Sequence, residues 1–96
     1  MKHTETHAIG ELLRQFIREE GLETPLNQHR LIQAWPEVVG PVVSKYTQEL
    51  FIRNQTLFVK ISSSTLRGEL SYARKTLVQR LNEKVGAQVI ADVHLY

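Results

Sequence analysis

The chain has 96 residues, 42% hydrophobic and 23% charged, with a formal net charge of +2; that is the size of one domain and the composition of a folded one, which excludes a disordered chain. It has no cysteine, which excludes a disulfide framework and thiolate metal centres. No apolar run approaches the ~18–20 residues of a membrane span, and Met1 to His7 hold no signal-peptide core, so a soluble cytoplasmic protein without a membrane partner is expected.

Ile9, Leu12, Leu13, Phe16 and Ile17 recur at helical spacing and predict an amphipathic helix over about Thr6–Glu20, ended by Gly21. Asn27 is a suitable N-cap for a second helix reaching Trp35, the only tryptophan. Pro36 disfavours the helical conformation at Trp35, so an end or kink is expected there. Gly40-Pro41 interrupts the chain again, and one more helical turn can run from Pro41 to Tyr46. A buried Trp needs a partner for its N–H, and Trp35 reads as a core anchor.

From Thr47 the period changes to two. Gln48–Arg53 and Thr56–Ile61 read as strands of a tight hairpin turning at Asn54-Gln55. A two-residue turn sets Ile52 against Leu57 and Leu50 against Val59 on one face. On the other it sets Phe51 against Phe58 and Glu49 against Lys60, with Arg53 opposite Thr56. Ser62-Ser63-Ser64 supplies N-cap hydroxyls. Leu66, Leu70, Ala73, Leu77, Leu81 and Val85 then predict one long helix, Thr65–Val85, closed by Gly86. Gln88–Tyr96 alternates as a last strand, with Val89, Ala91, Val93 and Leu95 on one side and Ile90, Asp92, His94 and Tyr96 on the other. The expected fold is a single α+β domain, ααββαβ, with a three-stranded mixed sheet whose last strand runs parallel to the second.

Few residues invite chemistry. His3 and His7 share a helix face but lie at a chain end without carboxylate partners, and His29 and His94 are isolated, so no metal site is expected. Ser62–Thr65 reads as a cap rather than a nucleophile or anion site, because no Gly-rich loop or base accompanies it. With no catalytic set, no enzyme and no cofactor are expected. The charge is uneven: residues 1–46 hold five Lys/Arg against six Glu, and residues 47–96 hold seven Lys/Arg against four acids. Arg53, Lys60, Arg67, Arg74 and Lys75 are therefore the candidate nucleic-acid contacts, Arg67 and Arg74 lying two turns apart on one helical stripe. Phe51, Phe58 and Tyr96 are candidates for base stacking or a partner surface. Against that, the leading helix needs an apolar partner, which favours Phe51 and Phe58 packing beneath the first two helices.

Trp35-Pro36-Glu37-Val38-Val39-Gly40, then Lys45-Tyr46-Thr47, then Leu57-Phe58-Val59-Lys60-Ile61-Ser62-Ser63-Ser64, then Glu69-Leu70 in a leucine-rich helix and a closing strand, together resemble the bacterial DciA family across nearly the whole chain. The resemblance implies a KH-like fold and a non-catalytic role in DNA replication. In that role the protein is a partner that helps load the ring-shaped replicative helicase (DnaB), with some DNA or RNA affinity. The chain has no Gly-x-x-Gly loop, so the nucleotide clamp of standard KH domains is absent. The alternative is a protein–protein module, homo- or hetero-oligomeric, without direct nucleic-acid contact.

Overall fold

Alternation of apolar and polar residues in the second half builds the sheet on which the other elements pack. A computed structural model describes residues 2–96, with side chains from residue 8 onward; the His3–His7 pair lies outside the described side chains. Helices α1 (Lys2–Glu19) and α2 (Glu23–Tyr46) lead into strands β1 (Thr47–Arg53) and β2 (Thr56–Ile61). Helices α3 (Ser64–Ser71) and α4 (Arg74–Val85) and strand β3 (Asp92–Leu95) complete the chain. The sheet order is β1-β2-β3, β1 antiparallel and β3 parallel to the central β2. This is the expected α+β fold with a mixed three-stranded sheet.

The hairpin follows the sequence from Glu49 to Lys60, and its register shifts between Thr47 and Glu49. Leu50 pairs with Val59, Phe51 with Phe58, Ile52 with Leu57 and Arg53 with Thr56. Asn54 and Gln55 both take positive φ, 51° and 59°, as a two-residue turn matched to strand twist requires. Leu57, Val59, Ile61 and Val93 point to one side and are buried with Leu31, Trp35, Leu77, Leu81 and Ile90 from the helices and the loop before β3.

Three helical expectations are corrected. α2 begins at Glu23 rather than after Asn27, and it does not end at Trp35; it runs through Pro36 and breaks at Gly40 (φ 86°, ψ 174°). The cost of the helical residue before a proline is offset by burial of Trp35, whose Nε1–H donates to Thr47 Oγ1 at 3.0 Å while that hydroxyl donates to the Val43 carbonyl at 2.8 Å. Glycine takes the left-handed corner without a Cβ penalty, so the break falls there and Pro41 opens the final segment. The long helix predicted over Thr65–Val85 is two. Tyr72 and Ala73 N–H donate to the carbonyls three residues back, at 3.2 and 2.9 Å, and tighten the chain into a turn. Gly86 (φ 83°) closes α4 as expected, and Ser63 caps α3, its Oγ accepting from Leu66 N–H at 3.2 Å. Finally, β3 is shorter than Gln88–Tyr96, and Ile90 is buried rather than aligned with His94.

Asn82 explains that last difference. It is buried on α4, donates through Nδ2 to the Ile90 carbonyl (2.8 Å), and accepts from Val89 and Ile90 N–H at 3.0 and 3.1 Å. The non-strand backbone before β3 is thus pinned to the helix, and Ile90 turns into the core.

α1 stands apart. Its Ile9, Leu12, Leu13 and Phe16 are 65, 66, 58 and 54% exposed. The radius of gyration is 16.3 Å and the molecule measures 56 × 26 × 20 Å, whereas a compact chain of this length has a radius of about 12–13 Å. No helix among the described residues is long and apolar enough to cross a membrane.

Candidate nucleic-acid interface

Because strand side chains alternate, the sheet face turned away from the core carries the other set. Registers across β1, β2 and β3 place Phe51, Phe58 and His94 in one row. The flanking rows are Arg53, Thr56 and Asp92 on one side, and Glu49, Lys60 and the terminal Tyr96 on the other. Phe51 and Phe58 stack at 4.8 Å between centroids, nearly parallel; Phe58 meets His94 edge-on at 5.4 Å, and His94 stacks with Tyr96 at 5.9 Å. The two Phe rings are half-buried by one another and are not part of the core cluster. The expectation that they pack beneath the first two helices is therefore corrected: α2 packs on the opposite face, and of the apolar stripe of α1, Ile9, Leu12, Leu13 and Phe16 stay in solvent while only Ile17 is half-buried, in a cleft it lines with Leu26.

Four contiguous rings on an open sheet face have the chemistry to stack bases. Strands about 4.8 Å apart make the row roughly 10 Å wide, enough for two or three bases. Arg53 and Lys60 flank the row on its two sides, exposed, and neither is ion-paired among the described residues. Tyr96 donates a long hydrogen bond to Glu49 Oε1 (3.4 Å). Partial desolvation of the phenol on the sheet face, with the charge and hydrogen bond of neighbouring Glu49, raises its pKa above the ordinary tyrosine value, although the residue is exposed.

The remaining basic candidates do not form the stripe their spacing implied. The turn at Tyr72–Ala73 separates Arg67 from Arg74. Arg67 is half-buried and donates through Nη1 to the Ile61 carbonyl at 2.8 Å, closing the end of β2. Arg74 pairs with Asp92 at 3.3 Å beside exposed Lys75, so these two flank the Arg53 end of the face. His94 was missed as a site residue, since in the sequence it is an isolated histidine; its alternation with Tyr96 was the available signal, but only the parallel pairing with β2 brings it beside Phe58.

No group of three or more His, Cys, Asp or Glu among the described residues is placed to hold a metal. Glu69 and Glu83 are exposed on separate helices, and Ser63 is committed to its cap.

Residues 8–95 match the family described as "Dna[CI] antecedent, DciA". The chain is 35% identical over 81 residues to a UPF0232 protein of Streptomyces coelicolor, covering 82% of this chain and 43% of that protein. It is 30% identical over 81 residues to a UPF0232 protein of Streptomyces avermitilis, covering 82% and 45%. The chain thus spans less than half the length of these relatives. With the family match running from α1 to the end of β3, the chain belongs to the DciA family of bacterial proteins.

Proposed function

We propose that this chain is a non-enzymatic adaptor of DNA replication that helps seat a ring-shaped replicative helicase on DNA and touches nucleic acid through the open face of its sheet. Family membership supports the replication role, since the family is described as the antecedent of the Dna[CI] proteins. The observation that carries the nucleic-acid contact is the uncovered ring cluster of Phe51, Phe58, His94 and Tyr96, flanked on its two sides by Arg53 and Lys60, neither ion-paired among the described residues.

Binding is weak and depends on few phosphates. Two cations on a single strand give a slope of about −1.4 in log K against log salt, from roughly −0.7 per phosphate neutralised. Arg74 and Lys75 add to this only as flanking charge, and Arg67 adds nothing directly because it holds the end of β2. Fluorescence anisotropy with a labelled oligonucleotide at low salt tests the reading. Phe58→Ala with Lys60→Glu abolishes retention, and Arg74→Ala weakens it modestly; full retention by the double variant refutes the sheet face. Capture of the purified replicative helicase by the immobilised chain tests the partner, and no capture refutes it.

A second reading, a protein–protein module that leaves nucleic acid alone, is favoured by the exposed apolar stripe of α1. Helicase capture without any DNA retention selects it.

A further inference from the structure

We propose that α1 is a self-association element: its apolar stripe pairs antiparallel with the same stripe of a second copy of this chain. Ile9, Leu12, Leu13 and Phe16 lie on one side of the helix, each more than half exposed. Together they open on the order of 400 Å², within the range of the largest apolar patch on a typical monomer. An isolated helix of this length is marginal in water and is ordinarily held by packing of its apolar face, yet the body of this chain does not cover it.

Three observations select a second copy. The first is area. Two stripes face to face, with their flanking residues, bury about 1,000 Å², the lower bound for a specific interface, so the pair forms and dissociates at micromolar concentrations. The second is shape. The body sits at the C-terminal end of α1 in a molecule 56 Å long and 26 Å across. Parallel pairing would drive two bodies into the same space; antiparallel pairing sets them at opposite ends of a helix pair roughly 27 Å long. The third is register. Ile9, Leu13 and Phe16 follow the alternating four-three spacing of a helix seam. Centring the pair near residue 11 packs Ile9 of each copy against Leu13 of the other and brings the two Leu12 side chains together at the dyad. The contact is then isologous and closes at two copies.

Sedimentation equilibrium of the full chain from about 1 to 500 µM spans the range in which an interface near the small end dissociates. The expected result is a weight-average mass rising from monomer toward dimer, with little change between low and high salt because the contact is apolar. Leu13→Glu abolishes the rise while fluorescence of Trp35, buried in the body, is unchanged. A mass that stays monomeric throughout, or a dimer that survives Leu13→Glu, overturns the proposal. Orientation is read separately. Because the chain has no cysteine, Ile9→Cys and Leu13→Cys variants can be mixed and treated with a short bismaleimide. Antiparallel pairing yields the mixed cross-link in several-fold excess over either self-cross-link; the reverse ratio overturns the register. If the stripe instead binds the helicase, the chain alone is monomeric and Leu13→Glu abolishes helicase capture, which overturns self-association and leaves the replication role standing.

Discussion

Replacing Asn82 tests whether the loop before β3 is held by one side chain. Asn82→Ala removes a donor to the Ile90 carbonyl and an acceptor shared by the Val89 and Ile90 amides, at 2.8, 3.0 and 3.1 Å. Each such bond contributes about 1 kcal/mol net, and a buried amide left without a partner costs about 1–3 kcal/mol. The Ile90 carbonyl keeps Gln88 Nε2 at 3.0 Å, so its loss is partial, whereas the Ile90 amide is buried and has no substitute. The expected destabilisation is about 2–4 kcal/mol. Urea unfolding followed by Trp35 fluorescence measures it. With a slope near 1 kcal/mol/M for a chain of this size, the midpoint falls by roughly 2–4 M. Asn82→Leu separates hydrogen bonding from volume, since it fills the same space without polar atoms; it should lose nearly as much. A loss below about 1 kcal/mol for Asn82→Ala, or a leucine variant as stable as the parent, refutes the reasoning and returns β3 placement to apolar packing alone.

Thr47→Val leaves the buried indole N–H of Trp35 without its acceptor and costs about 1–3 kcal/mol, read in the same urea experiment; a neutral result would show that the corner is held by the ring alone. Gln55→Gly relieves a left-handed non-glycine residue (φ 59°) in the hairpin turn and stabilises by about 0.5–1 kcal/mol, seen as a higher thermal midpoint. The Tyr96 pKa is raised because partial desolvation of the phenol and the charge and hydrogen bond of Glu49 all oppose the phenolate. A raised folded-state pKa favours the protonated form, so that contribution to stability is complete below the unfolded pKa and is lost as pH rises through the folded one. Ultraviolet titration should show the Tyr96 transition moving down in Glu49→Gln.

How much of this was legible in the sequence depended on the distance over which each determinant acts. The hairpin was readable around its turn, because a two-residue turn fixes register and alternation fixes faces; every pair from Glu49–Lys60 to Arg53–Thr56 stands where the spacing put it, while the register shift between Thr47 and Glu49 was not foreseen. The helices were readable as apolar stripes but not in their breaks. Pro36 is the stronger local signal, yet the chain bends at Gly40, because burying Trp35 against Thr47 rewards keeping the helix intact through the proline. The Leu66-to-Val85 stripe continues across the turn at Tyr72–Ala73, so periodicity alone does not reveal that its axis changes.

That change of axis decides which cations can act together. Arg67 and Arg74 look like neighbours on a helical wheel, but the turn sends Arg67 to a backbone carbonyl and Arg74 to Asp92. A guanidinium committed to the end of a strand cannot be removed without loosening that strand, so Arg67→Glu would confound stability with binding. The informative cations are those whose side chains make no ion pair or hydrogen bond among the described residues: Lys60 and Arg53. The same alternation that buries Leu57, Val59 and Val93 forces Phe58 and His94 outward. The open rings are thus set by the pattern that makes the core, and their side-by-side placement required only the parallel register of β3. Variants of Phe58 and Lys60 therefore probe the surface while leaving the core cluster untouched.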